Sequence, residues 1–141
     1  MKLLLVCLFI LCFTQIKAQE ITLFDSKGAA VAYIDTNDDD LPIYLWSGKA
    51  VAYISGENIY GFNGKHLGWW VKGIIRDHDG DAIGGTRKAI GIFTEMEPFK
   101  NLKDFKPFKR FKEFAPFKPV WTSSWSTDSF RIFLLNGVES N

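Results

Sequence analysis

The chain has 141 residues, 47% of them hydrophobic and 16% aromatic, with 17 basic and 16 acidic side chains. That length suits one small domain, and a net charge of +1 excludes whole-chain attraction to nucleic acid. Both cysteines, Cys7 and Cys12, fall within the first 18 residues, so the rest can form no disulfide, thiolate metal site or cysteine nucleophile.

The first segment reads as an export signal. Lys2 supplies a positive start, Leu3 to Phe13 is an unbroken apolar run, and Ala18 offers a small residue for cleavage before Gln19. The run is far shorter than the roughly 20 residues of a membrane-spanning helix. Residues 1–18 are therefore expected to be a signal peptide. The mature chain is expected to lack a transmembrane segment and to be periplasmic, envelope-bound or secreted. Setting aside Lys2 and Lys17 leaves 15 basic against 16 acidic side chains, unevenly spread. Acids outnumber bases from 19 to 98, whereas seven bases face two acids between Phe99 and Val120.

Residues 19–98 contain an internal repeat. Gly28, Gly48, Gly64 and Gly80 each precede a large apolar residue at plus three and a small one at plus four, usually followed by an aromatic. The segments are Val31-Ala32-Tyr33, Val51-Ala52-Tyr53, Leu67-Gly68-Trp69 and Ile83-Gly84-Gly85. Each reads as the outgoing strand of a β-hairpin. Asn63-Gly64 predicts a two-residue type I′ turn. Asp25-Ser26-Lys27-Gly28 and Asp77-His78-Asp79-Gly80 predict a different turn, in which Asp bonds its own backbone two residues on. Strict alternation would place Val31, Val51, Leu67 and Ile83 on one face with Tyr33, Tyr53 and Trp69. Ala32, Ala52, Gly68 and Gly84 would then point the other way, into a crowded place where the hairpins converge.

Three stretches, Ile43 to Ile54, Ile59 to Trp69 and Gly73 to Gly80, resemble the four-fold β-flower domain of bacterial proteins. The tail, with its regular Pro and Lys and later Trp121 and Trp125, is similar too. The resemblance covers essentially the whole chain after residue 18. It implies a pseudo-four-fold arrangement of hairpins and carries no established activity, so no catalytic residue follows from it. The fold class expected is all-β: four pseudo-symmetric hairpins in a flower-like small barrel or propeller-like ring.

From Phe99 the period changes to three. Phe99, Leu102, Phe105, Phe108, Phe111, Phe114, Phe117 and Val120 recur with Lys or Arg mostly between, and Pro98, Pro107 and Pro116 are nine residues apart. An α-helix would wind this stripe around itself, and a strand would split it between two faces. Polyproline II stacks all of it on one edge. At about 3.1 Å per residue the segment is too long to lie straight on so small a core, so it must bend around the core or project away. The expectation is a strap with phenylalanines buried and lysines in solvent, since an exposed row would exceed the apolar patch normally tolerated. The alternative is a docking arm for an anionic surface or a partner protein. Phe130 to Leu135 is either a buried strand or one short helix; its periodicity fits both. Residues 99–141 are expected to complete the same domain as strap and closing segment.

Candidate chemistry is sparse. Asp77, Asp79 and Asp81 could ring a hard cation, as could Asp35, Asn37 and Asp39, but neither run has the EF-hand pattern and ordinary turns are expected. Ser124, Ser126, His66 and Asp77 carry no hydrolase signature. No metal, cofactor or nucleic-acid partner is expected. Recognition remains, with Trp46, Tyr53, His66 and Trp69 as candidate ligand-binding residues on the hairpins. The leading expectation is a non-enzymatic module binding glycan or peptide, or associated with the envelope. The alternative is a structural or interaction domain using the 99–120 segment, and a hydrolase ranks third.

Overall fold

The computed structural model describes residues 19–140, so the expected signal peptide lies outside the described residues. Eight short runs rich in Val, Ile, Tyr and Trp form eight strands. These are β1 (Glu20–Phe24), β2 (Ala30–Asp35), β3 (Pro42–Leu45), β4 (Ala50–Ser55), β5 (Asn58–Gly61), β6 (His66–Val71), β7 (Ile74–Arg76) and β8 (Ala82–Gly85). Each pairs antiparallel with the next, and β8 returns to β1, so the sheet closes as a barrel with no free edge. The expected all-β ring of four hairpins is what forms. Two short helices follow, α1 (Arg87–Ile90) and α2 (Phe130–Leu135).

All four hairpin turns are the same turn, which corrects the expectation of two kinds. The glycine N–H donates to the carbonyl three residues back, as from Gly28 to Asp25, Gly48 to Leu45, Gly64 to Gly61 and Gly80 to Asp77. The residue at that carbonyl donates its own N–H four residues forward, as from Gly61 to Lys65. Asn63 does not take positive φ, so Asn63-Gly64 is not a type I′ turn; the left-handed position falls to Gly64 alone, at φ +90°. The expected Asp chemistry does occur, Asp25 Oδ1 accepting from Lys27 N at 2.9 Å and Asp77 Oδ1 from Asp79 N at 3.0 Å.

Strict alternation also fails, at one matched place in every hairpin. Ile43 pairs with Ala52 but Tyr44 pairs with Ala50, leaving Val51 as an extra residue. Val31, Leu67 and Ile83 are skipped in the same way. These are β-bulges, and a bulge turns two successive side chains to one side. Val51 and Ala52 therefore join the same buried cluster, as do Leu23, Ile43, Ile59, Leu67, Ile75 and Ile83. Tyr33 and Tyr53 stand on the opposite face with Tyr44, Tyr60 and Phe62.

The C-terminal segment plugs this barrel. Ser129 caps α2, and Phe130, Phe133 and Leu134 at i, i+3 and i+4 share its buried face. The plug requires a glycine at position 84, and the neighbouring strand requires one at position 68. A Cβ on Gly84 would stand 2.5 Å from the Phe130 ring, and one on Gly68 would stand 2.1 Å from the Arg76 carbonyl oxygen and 3.1 Å from Phe133.

Residues 92–122 form the strap, without helix or strand, and it bends around the barrel instead of projecting. Four strap amides, nine residues apart, donate to the four turn glycines. Glu95 reaches Gly28 O at 2.8 Å, Asp104 Gly48 O at 2.9 Å, Glu113 Gly64 O at 2.9 Å and Thr122 Gly80 O at 3.1 Å. Asn101 and Arg110 add bonds to Trp46 O and Phe62 O. The nine-residue recurrence of Pro98, Pro107 and Pro116 is thus the spacing of the hairpins around the barrel.

The strap's faces are opposite to expectation. Phe99, Phe105, Phe108, Phe111, Phe114 and Phe117 are 98–103% exposed, and Phe93, Met96, Leu102 and Val120 are 86–92% exposed. The lysines turn inward. Lys106 Nζ lies 2.6 Å from Asp38 and 2.9 Å from Asp40, Lys109 2.7 Å from Asp40, and Lys103 3.0 Å from Asp35. Lys100 pairs with Glu20 and Lys118 with Glu57. Phenylalanines facing the wall would have covered these carboxylates with hydrocarbon, a costly desolvation without partners.

Candidate functional site

The hairpins carry their aromatic residues at repeated positions on the barrel's outer wall, and the strap lies over them. Tyr33 stacks on Tyr44 at 5.5 Å between centroids, with Trp46 edge-on to Tyr33 at 5.9 Å. Tyr53 stacks on Tyr60 at 6.1 Å. Strap ammonium groups sit over these rings. Lys100 is 4.3 Å from the Tyr33 centroid, Lys109 5.0 Å from Tyr53 and Lys112 5.4 Å from Tyr60. Burial, and then the Glu20 carboxylate, pushes the Tyr33 hydroxyl up to about 12. The lysine-to-wall contact therefore combines ion pairs and ring faces along the first three hairpins.

Three of the four residues singled out in the sequence lie in one contiguous run. Tyr53 touches Tyr60, Tyr60 meets His66 edge-on at 5.2 Å, and His66 meets Trp69 at 4.9 Å. Trp46 stands apart, on the Tyr33 side, with its indole N–H donating to Pro98 O at 3.1 Å. Tyr53, His66 and Trp69 are buried, and Trp46 is half-buried. Trp69 packs edge-on against Trp121 of the strap's end at 5.5 Å.

His66 is a fully engaged imidazole. Its Nε2 lies 3.0 Å from Asn58 Oδ1 and its Nδ1 3.0 Å from His78 Nε2. Asn58 Oδ1 can only accept, so Nε2 carries the proton, Nδ1 accepts, and His78 Nε2 donates. Burial, and then the adjacent His78, pushes His66 down to about 4. The Glu113 carboxylate of the strap accepts from the His66 backbone N–H at 2.6 Å. A cleft of about 450 Å³ opens beside this pair, lined by polar groups including Lys65, Asp77, His78, Glu113 and Asp128. Trp69 does not line it.

The acidic trio belongs to the fourth turn. Asp77, Asp79 and Asp81 hold carboxylate oxygens within 4.8 Å of one another. Asp77 Oδ1 accepts from the backbone N–H groups of Asp79 and Asp81, each at 3.0 Å. Asp81 Oδ1 accepts the Thr122 hydroxyl at 2.5 Å. Turn and strap hydrogen bonds thus already employ the Asp77 and Asp81 carboxylates.

The feature that sequence reasoning placed wrongly is the apolar row itself. One signal pointed to it. The hairpin half has surplus acid and the strap surplus base, and complementary charges on one chain pair with each other before they meet solvent.

A family model described as "4-fold beta flower protein" matches residues 21–134, which takes in the barrel, the strap and most of α2. The chain belongs to the four-fold β-flower family. No curated protein and no solved structure matches it. The description of this β-flower family specifies a fold and no reaction, so the candidate surfaces rest on the geometry above. Two stand out: the phenylalanine row around the flower and the polar cleft at the histidine pair. No helix among the described residues is long and apolar enough to cross a membrane.

Proposed function

We propose that this β-flower domain is a non-enzymatic interaction module whose working surface is the apolar row of its strap. The observation that carries the reading is the complete exposure of Phe99, Phe105, Phe108, Phe111, Phe114 and Phe117 on one edge. A row of this extent exceeds the apolar patch of an ordinary monomer and marks an interaction site. Backbone bonds to all four turns and inward lysines hold that edge outward, so its presentation is built into the fold. Export to the periplasm, envelope or medium is part of this proposal, supported by the Lys2 to Ala18 pattern. The test is a photo-crosslinker, p-benzoylphenylalanine, placed at Phe108 or at the exposed control position Lys88 in producing cells. Discrete adducts at Phe108 and none at Lys88 are expected. Equal or absent labelling at both would overturn the reading.

A second reading is supported by the cleft at His66 and His78, whose polar lining suits a small glycan or peptide. It expects saturable shifts of the His78 ring resonances when a glycan or peptide panel is titrated. A panel that moves no His78 signal would refute it.

A further inference from the structure

We infer that the domain binds a small-molecule carboxylate at Ser55, Arg110 and Lys112. These residues line a cleft of about 1000 Å³ between the end of β4 and the strap, together with Asp39, Tyr53 and Lys109. That volume suits a small ligand. The cleft shares no lining residue with the one at His66 and His78.

The repeat carries the inference, because two neighbouring hairpins hold the same lysine in the same place against different partners. Lys103 Nζ stands 5.5 Å from the Tyr44 centroid, 3.0 Å from the Asp35 carboxylate and 3.1 Å from that of Glu20. Nine residues on, Lys112 Nζ stands 5.4 Å from the Tyr60 centroid and 3.3 Å from Ser55 Oγ. Asp35 and Ser55 each fall seven residues after their turn glycine, Gly28 and Gly48, and Tyr44 and Tyr60 each fall four before the next, Gly48 and Gly64. The ammonium positions therefore match, while the group facing them changes from carboxylate to hydroxyl. A hydroxyl accepts a hydrogen bond from Lys112 but does not balance its charge.

The same quarter gains a second cation. Asn101 and Arg110 are equivalent, their amides donating to Trp46 O and Phe62 O. Where the first quarter has an amide side chain, the second has a guanidinium lining the cleft. Among the described residues neither Arg110 nor Lys112 forms an ion pair. A solvated surface lysine would account for Lys112 alone. Two unpaired cations lining one cleft, where the repeat otherwise supplies a carboxylate, call for an anion. Asp40 on the same lining is engaged by Lys106 and Lys109. Asp39 makes no ion pair among the described residues and would repel a doubly charged phosphate more than a singly charged carboxylate. A carboxylate is also the group that this fold sets against Lys103. The Arg110 fork suits its two oxygens, and Lys112 and the Ser55 hydroxyl can donate to the remaining lone pairs.

The experiment is an amide NMR titration of residues 19–141, which hold the barrel, strap and plug, with sodium glucuronate at constant ionic strength. Glucose and inorganic phosphate are the comparison ligands. Glucuronate is expected to shift the amides of Ser55, Arg110 and Lys112 saturably, and glucose to leave them in place. Lys112→Gln is expected to weaken binding about 10-fold or more. Ser55→Asp should weaken it as much, because the chain then supplies to Lys112 the carboxylate that Asp35 supplies to Lys103. Lys88→Gln, on α1, should bind as the wild type does. Should one of the two site variants lose its native spectrum, the other carries the test. Glucuronate that causes no saturable shift, glucose that shifts the same amides equally, or folded site variants that bind as tightly as the wild type would each overturn the inference. Phosphate binding more tightly than glucuronate would overturn the assignment to a carboxylate.

Discussion

Replacing Gly64 by Ala strikes the point where strap and hairpin meet. Gly64 sits at φ +90°, and a Cβ there would stand 2.0 Å from the Phe111 carbonyl oxygen. Backbone cannot yield as a side-chain tip does, so the strap must lift. Lifting it removes Arg110 N–H to Phe62 O at 3.0 Å, Glu113 N–H to Gly64 O at 2.9 Å and His66 N–H to Glu113 Oε1 at 2.6 Å. At about 1 kcal/mol net for each bond, that is about 3 kcal/mol. The left-handed backbone adds about 1 kcal/mol for a residue with a Cβ. Gly56→Ala is the matched control, with φ +64° and nothing within 4 Å of the new Cβ, so it suffers the backbone strain alone. Urea unfolding followed by tryptophan fluorescence should place Gly64→Ala about 3 kcal/mol below Gly56→Ala, roughly 10 °C in Tm. Two variants within about 0.5 kcal/mol of each other would refute the claim that the strap is seated on the turn.

Two further expectations follow from the barrel's interior and from its histidine pair. Gly84→Ala should destabilise by about 1–3 kcal/mol through overpacking against the Phe130 ring, and Phe130→Leu should relieve part of that cost in a double-mutant cycle. Gly68→Ala should resist such rescue, because its added Cβ meets the Arg76 carbonyl. His66, lowered to about 4 in the fold against an ordinary 6.5, prefers to be neutral when folded. Its contribution is therefore complete above about pH 6.5 and is lost as pH falls from there toward 4. NMR titration should find the His66 ring changing charge well below pH 6, whereas a midpoint near 6.5 would contradict its burial.

The barrel was legible because its signals are local and repeated. Gly28, Gly48, Gly64 and Gly80 mark the turns, and the small residues four places on mark where α2 enters. The bulges were not legible, because Val51 and its equivalents satisfy a period of two as well as any paired residue; only the opposing strand shows that one residue has no partner. Asn63-Gly64 misled for a related reason, since the dipeptide is the last part of a four-residue turn. In the site, the adjacency of His66 and Trp69 follows from three residues of bulged strand, whereas the separation of Trp46 depends on the order of strands around the ring. The strap's period was plain and its orientation was not. Burial of phenylalanine is the stronger rule for a chain seeking a core, but this wall was already covered by Tyr33, Tyr44, Tyr53 and Tyr60 and edged with carboxylates. Lysine satisfies both surfaces and phenylalanine neither.

Amide hydrogen exchange across residues 93–122, resolved by NMR, tests the seating of the strap most directly. Protection is expected at Glu95, Asp104, Glu113 and Thr122, nine residues apart, with Asn101 and Arg110 between, and fast exchange at Phe105, Phe108, Phe114 and Phe117. Uniformly fast exchange, or protection at any other spacing, would contradict a strap that visits the four turns in order.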